Sequence, residues 1–152
     1  MKVVLTIDDE RPEVVAALTR AYLEVVVTQN RYLMKKHGKR IPPLYDSGIR
    51  FRIEPWAEKI QHFANCMEIL ERGHGDCKTL CCYRLAELRE SAPTKAQAAK
   101  YRMKLYWRIF TDEDPLHDGV GTAKARRSMR IYHVQVRHPN GAVEDPSRLL
   151  HQ

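Results

Sequence analysis

The chain lacks the long apolar segments and leader patterns that mark membrane and secreted proteins. No apolar run approaches the roughly 20 residues that a transmembrane helix needs. The first residues, MKVVLTIDDERPE, become acidic too early for a secretory signal peptide. These absences predict a cytoplasmic protein without a membrane partner.

Cysteine is also scarce, and the spacing of the four cysteines argues against a disulfide framework. Cys81 and Cys82 are adjacent, Cys77 precedes Cys81 by one helical turn, and the fourth cysteine is Cys66. No signal peptide directs the chain to an oxidising compartment, where disulfides persist. We therefore expect four reduced thiols.

The composition is typical of a globular domain with a basic surface. The 152 residues are 43% hydrophobic and 30% charged, which predicts a single domain over 1–152 with its own core. The net charge is +7, and the densest basic runs are KKHGKR (35–40) and KARRSMR (124–130). Neither run has the interleaved aromatic residues of a groove for single strands, so we interpret both as solvated surface and expect no nucleic-acid partner.

Hydrophobic spacing predicts three helices in the first part of the chain. The first covers 12–36, with Pro12 at its start and Gly38 at its end. Its expected apolar stripe consists of Val15, Leu18, Tyr22, Val25, Tyr32 and Leu33. The second helix ends at Gly73, and the third covers about 77–91. The apolar positions of the second helix are Trp56, Ile60, Phe63, Met67 and Leu70.

Alternating apolar and polar residues predict strands in the second part. These are YRMKLYWRIF (101–110), MRIYHVQVRH (129–138) and a final short strand in AVEDPSRLL (142–150). Helices followed by antiparallel strands predict an α+β fold, with the N-terminal helices packed on an antiparallel sheet. The polar segment 111–128 is expected to be a loop beside the functional site.

The segment RGHGDCKTLCCYRLAELRE (72–90) places Cys77 in the first turn of the third helix. On a helical wheel, Cys77 falls within an apolar arc of about 140°. A cysteine that only packs in the core would occupy the same position. Three features favour a nucleophile. Asp76 can cap the helix, the free N–H groups of its first turn favour a thiolate and bind an oxyanion, and Gly73 and Gly75 leave room for a substrate.

A thiol nucleophile needs a base, and the base needs a group that orients it. His133 is a polar ring in the middle of a predicted strand. If residues 139–141 form a three-residue hairpin loop, Gln135 faces Asp145, and Asp145 is the diagonal neighbour of His133 on one sheet face. A two-residue turn at Asn140-Gly141 would put Asp145 on the other face. Proline and glycine at the ends of PNG favour the three-residue loop.

The order of these motifs resembles the transglutaminase-like superfamily. GDC opens a helix, YHV lies in a strand, and DPS follows in the next predicted strand. The segments PPLYDSGIRFRIEP and LERGHGDC also resemble small family members found among phage and prophage proteins. The resemblance covers about 42–150 and implies a papain-like core, in which the cysteine helix packs on an antiparallel sheet. It implies Cys77 as nucleophile, His133 as base and Asp145 as the orienting carboxylate.

Two positions depart from the family pattern. His74 stands where an aromatic residue such as Trp is common, and Lys78-Thr79 stand where acidic residues often follow the cysteine. Both positions are expected to lie beside the cleft, and they leave the substrate open. The candidate residues of that substrate cleft are His74, Gly75, Asp76 and Gln135.

The implied chemistry is cysteine-dependent acyl transfer on amide bonds through a thioester, without a cofactor or a metal. Water as the acceptor gives a peptidase or amidase, the default expectation, and an amine gives a protein-crosslinking transglutaminase. The expected partner is a protein or peptide, and the basic end of 111–128 favours an acidic one. Residues 1–40 are a candidate docking element.

Two other functions stay open from the sequence. His74, Cys77, Cys81 and Cys82 could form a zinc site, although structural zinc usually draws ligands from two separated segments. The domain could also be a catalytically inactive member of this fold that serves assembly. Metal analysis and labelling with an electrophilic thiol probe distinguish these functions.

Overall fold

The computed structural model describes residues 11–52, 63–109 and 130–151. Within them, helices and two small sheets make up an α+β fold, as predicted. The helices are α1 (Pro12–His37), α2 (Cys66–Arg72), α3 (Cys77–Ser91), α4 (Lys95–Ala98) and α5 (Pro146–Leu149). The strands are β1 (Arg50–Phe51), β2 (His74–Gly75), β3 (Arg102–Ile109), β4 (Arg130–Arg137) and β5 (Val143–Glu144). Two short 3₁₀ turns lie at Gly38–Arg40 and Leu44–Asp46.

The larger sheet has the order β3-β4-β5 and is antiparallel throughout, whereas β1 and β2 form a separate parallel pair. Between β4 and β5, Val136 pairs with Glu144, which is the register of the three-residue loop. Gly141 has φ 86°, a left-handed conformation that glycine adopts without strain. The predicted register, which decides where Asp145 lies, is therefore confirmed.

Helix α1 has the predicted bounds within one residue, but its predicted apolar stripe is only partly correct: Tyr22 and Leu33 are half-buried against the cores. Leu18, Val25 and Tyr32, expected in the apolar stripe, are exposed. The buried face consists of Thr19, Leu23, Val26, Val27 and Asn30. Valine and leucine occur on several sides of this helix, so the spacing alone did not select one side. Packing against α3 selects it.

Helix α3 is the central helix of the fold rather than the one-sided helix that its sequence suggested. Every residue from Lys78 to Ala86 except Arg84 is buried. One side packs in a core with α1 and the larger sheet, where Leu85 contacts a cluster that includes Val134. The other side packs in a second core that includes Leu80. Each fully buried aliphatic side chain contributes about 1.5–3 kcal/mol, so both cores hold α3 in place.

Two element boundaries differ from the prediction. The described part of the second helix begins only at Cys66, after the N-cap Asn65, so Phe63 precedes the helix. Trp56 and Ile60 lie outside the described residues. The final strand is also shorter, because β5 ends at Glu144 and Pro146, which suits a first helical turn, begins α5.

The remaining expectations concern segments beyond the described ranges. Loop 111–128 and the first ten residues lie outside them, so the docking role of 1–40 and the single domain over 1–152 stay predictions. Over the described ranges, no helix is both long enough and apolar enough to cross a bilayer.

Candidate active site

The first turn of α3 is fixed by a reciprocal cap. Asp76 Oδ1 accepts a hydrogen bond from the Thr79 backbone N–H at 3.0 Å, and Thr79 Oγ1 accepts one from the Asp76 N–H at 3.0 Å. The buried Lys78 ammonium also pairs with the Asp76 carboxylate. Cys77, the first residue of the helix, is therefore held on a rigid turn and remains partly exposed.

Gly75 and Asp76 serve this turn rather than an open cleft. A Cβ atom on Gly75 would lie 2.8 Å from Thr79 Oγ1 and 3.1 Å from both Ile69 and Leu80 side-chain atoms. Protein side chains therefore fill the space beside Gly75, whereas a Cβ atom on Gly73 would meet nothing within 4 Å. Asp76 is buried, and its oxygens bind Thr79 and Lys78. Glycine is required here because β2 packs closely on α2 and α3.

His133 and Asp145 meet across the β4-β5 hairpin. His133 Nε2 lies 2.7 Å from Asp145 Oδ2, and both side chains are largely buried. The three-residue loop makes this contact possible because it puts both residues on one face of the sheet. The predicted neighbours are therefore brought together.

Asp145 is held by more groups than the ring. Gln135 Nε2 donates to Asp145 Oδ2 at 3.1 Å, and the Ser147 hydroxyl donates to Oδ1 at 2.6 Å. Asp145 is also the N-cap of α5. Burial opposes its charge, but the hydrogen bonds from His133, Ser147 and Gln135 outweigh burial and hold its pKa well below the usual range. The carboxylate is therefore both charged and fixed in orientation.

His133 links this carboxylate to Cys77. Burial lowers the pKa of the ring, but hydrogen bonds to Asp145 and to the Cys77 side chain, with the charges of both, raise it to about 9. Because Nε2 binds Asp145, Nδ1 is the nitrogen left for the thiol. The Tyr106 ring packs edge-on against His133, with centroids 5.5 Å apart. The His133 imidazole therefore lies between the Cys77 thiol, the Asp145 carboxylate and the Tyr106 ring.

The other three cysteines have a different environment. Cys66, Cys81 and Cys82 are fully buried. Burial raises the pKa of Cys66 to about 11 and those of Cys81 and Cys82 well above the ordinary thiol value. Among the four thiols, Cys77 alone is both partly exposed and close to the ring of His133.

Of the remaining predicted cleft residues, Gln135 is placed beside Asp145 and His74 lies immediately before the capped turn. His74 is partly buried in β2, and its Nδ1 is buried without a hydrogen-bond partner. Gln135 therefore helps to orient Asp145, a role that was not predicted from the sequence. The cleft role of His74 stays a prediction.

Ser147 and Tyr106 also contact the site and were not identified from the sequence. A serine two residues after an aspartate that starts a helix is the available signal for Ser147. For Tyr106 the signal is the register of β3 with β4, which places Tyr106 directly opposite His133.

The proposed zinc ligands do not form a cluster. Across the described ranges, no group of three or more His, Cys, Asp or Glu residues is arranged to hold a metal ion. Cys81 and Cys82 lie in the core between α1, α3 and the larger sheet, and the Cys82 thiol donates to the Leu23 carbonyl at 3.6 Å.

Comparisons with known proteins add no relative. No family model, no curated protein and no solved structure matches the chain.

Proposed function

We propose that the chain is a transglutaminase-like thiol acyltransferase with Cys77 as nucleophile, His133 as base and Asp145 as orienting carboxylate. The observation that carries the proposal is the position of His133, whose Nε2 is held by Asp145 at 2.7 Å while Cys77 is near enough to help raise the pKa of the ring. A nucleophile, a base and an orienter in series are the arrangement that thiol catalysis requires.

The first half of the reaction forms a thioester. The thiol proton passes to His133 Nδ1, and Cys77 Sγ attacks the carbonyl carbon of an amide or ester. The tetrahedral oxyanion binds near the first N–H groups of α3, where the helix dipole favours negative charge. When the intermediate collapses, the bond to the leaving group breaks, and the imidazolium returns the proton to the departing amine or alcohol.

The second half releases the acyl group. Water or an amine gives a proton to His133 Nδ1 and attacks the thioester carbonyl, and Cys77 leaves as the thiolate that the imidazolium stabilises. Water yields a carboxylic acid, and an amine yields a new amide. We propose a protein or peptide as the natural acyl donor, and hydrolysis as the default outcome.

A small activated ester tests this function without a known substrate. With p-nitrophenyl acetate, the protein should release nitrophenol in a burst and gain one acetyl group on Cys77, detected by intact mass and peptide mapping. Cys77→Ala should remove the burst and the added mass. Adding a primary amine then shows whether the acyl group passes to amines or to water.

Cys66→Ala is the matched control because Cys66 is also the first residue of a capped helix. This variant should retain the burst. A burst that survives in Cys77→Ala, or acetylation spread over several cysteines, would contradict the proposed function and favour an inactive assembly module.

A further inference from the structure

A strongly basic cavity lies between α1, the end of α3, α4 and the edge strand β3. Its volume is about 790 Å³, within the roughly 300–1,000 Å³ typical of small-molecule sites. Among the described residues that line it, seven are Arg or Lys and one, Glu24, is acidic. The cavity does not include Cys77, His133 or Asp145.

The single carboxylate of the cavity is already neutralised. Arg89 binds Glu24 through both of its terminal nitrogens, at 2.6 and 3.1 Å, and Arg89 also donates to the Tyr101 carbonyl. Arg31 is likewise engaged, by Glu90 at 2.5 Å. Among the described lining residues, these pairs use two of the seven cations and the one acid.

The other cations have no acidic partner within the described ranges. Arg20, Lys95, Arg102 and Arg137 are exposed and make no side-chain hydrogen bond or ion pair there. The Lys104 ammonium lies over the face of Tyr106, 5.7 Å from the ring centroid. The cavity therefore holds a concentrated positive charge that no acidic side chain of the described ranges balances.

The register brings two of these arginines face to face. Arg102 on β3 pairs directly with Arg137 on β4, so their Cβ atoms are about 4.5–5.5 Å apart on one sheet face. Like charges directly opposite each other destabilise a sheet. A fold that keeps such a pair at the wall of a cavity is stabilised when an anion binds between them.

We propose that this cavity binds clustered phosphate groups, either of a free nucleotide or polyphosphate or of a nucleic-acid strand. A phosphate group has three acceptor oxygens and can bear more than one charge, so it can bridge the Arg102 and Arg137 guanidinium groups. A carboxylate offers two oxygens and one charge. The linear basic runs 35–40 and 124–130 gave no indication of this site, because its residues come from five separate elements.

Tripolyphosphate is the probe, and calorimetric titration of the full chain at low salt is the measurement. The unmodified protein should bind it, and the double variant Arg102→Gln/Arg137→Gln should bind it at least tenfold more weakly. The double variant Lys39→Gln/Arg40→Gln removes the same charge from an exposed segment outside the cavity and should bind as the unmodified protein does. Cys77→Ala should also bind normally, so this test is independent of the proposed acyl transfer.

Thermal unfolding gives a second readout that a misfolded variant would not produce. Without anion, Arg102→Gln/Arg137→Gln should melt at a higher temperature than the unmodified protein, because it removes the like-charge contact. With tripolyphosphate, its melting temperature should rise less than that of the unmodified protein.

The remaining arms identify the source of the phosphates. Tighter binding of ATP than of tripolyphosphate indicates a nucleotide, and tighter binding of a short oligothymidylate with a steep salt dependence indicates a nucleic acid. Absence of tripolyphosphate binding, equal weakening in the two double variants, or tighter binding of a poly-glutamate peptide would overturn the phosphate assignment.

Discussion

Two helices of this protein begin with a cysteine behind a side-chain cap, and we propose only one of these thiols as a nucleophile. Asn65 caps α2 before Cys66, and Asp76 caps α3 before Cys77, each in a reciprocal capping box. Both thiols therefore lie at the positive end of a helix dipole. Any argument from the helix N-terminus alone applies to both.

The two thiols differ in what surrounds them. Cys66 is fully buried, its backbone N–H donates to Asn30 Oδ1 at 2.8 Å, and burial raises its pKa to about 11. Cys77 is partly exposed, and it is near enough to His133 to help raise the pKa of that ring. The comparison shows that burial overrides the helix dipole at one cap, and that a neighbouring imidazole distinguishes the other.

The histidines of β4 form a second matched pair. His133 Nε2 contacts Asp145 and His138 Nε2 contacts Glu144, each at 2.7 Å. Glu144 also binds Arg84, a permanent cation, at 2.7 Å, and accepts from the Tyr45 hydroxyl. Arg84 thus balances the charge of Glu144, whereas the ring of His133 is the cation beside Asp145. The His138–Glu144 pair therefore braces the fold, whereas the charge of Asp145 is available to an imidazolium at His133.

The largest effect should come from the two histidines. His133→Ala should lower turnover of p-nitrophenyl acetate by about 10²–10⁴-fold, because it removes the general base. His138→Ala should leave turnover close to that of the unmodified protein, since no thiol lies beyond its ring in the described structure; the Tyr101 ring packs there instead. Equal losses in the two variants, at equal folded content by circular dichroism, would remove the distinction between them.

The two carboxylates should separate activity from stability. Asp145→Asn should lower turnover on the order of 10²-fold, because a neutral amide does not stabilise the imidazolium. Glu144→Gln should preserve turnover but lower the free energy of unfolding by about 1–3 kcal/mol, because Arg84, His138 and Tyr45 lose a charged acceptor. Urea unfolding and ester hydrolysis on both variants measure the two effects, and a reversed pattern would contradict these roles.

A smaller effect should appear in the pH dependence of alkylation. The pKa of His133 is raised to about 9, so its charged form persists above neutral pH and is lost as pH rises through about 9. The stability that this raised pKa contributes is fully present below about pH 6.5, the ordinary pKa of histidine. It is lost as the pH rises through about 9. The imidazolium attracts iodoacetate but not neutral iodoacetamide.

The rate of Cys77 alkylation by iodoacetate, divided by the rate with iodoacetamide, should therefore fall about fivefold between pH 7 and 10. That is the effect expected from the loss of one nearby charge in a solvent-exposed site. The ratio should stay flat in His133→Ala. A flat ratio in the unmodified protein would show that no imidazolium lies beside the thiol.

The sequence was sufficient for features that local chemistry decides. The Pro139–Gly141 turn determined the β4-β5 register, and that register placed Asp145 beside His133. Asp76 and Cys77 were predicted at the start of α3 from capping chemistry alone.

Features that depend on packing against distant segments were not predictable in this way. The glycine at Gly75 indicated an open cleft, but side chains of α2 and α3 fill that space. The exposed face of α1 and the burial of α3 on nearly all sides depend on which neighbours pack against them. The basic cavity joins residues more than 100 positions apart, such as Arg20 and Arg137, which no linear pattern connects.

The most direct test compares alkylation of Cys77 and Cys66 in one folded sample. Iodoacetamide at pH 7, with peptide mass spectrometry over time, gives both rates together. Cys77 should react at least about 10²-fold faster than Cys66, because Cys77 is partly exposed beside an imidazole while burial keeps Cys66 protonated. In His133→Ala, the rate at Cys77 should fall by roughly tenfold or more, with that at Cys66 unchanged. Similar rates for the two thiols, or a Cys77 rate that is indifferent to His133→Ala, would contradict an activated thiol at the start of α3.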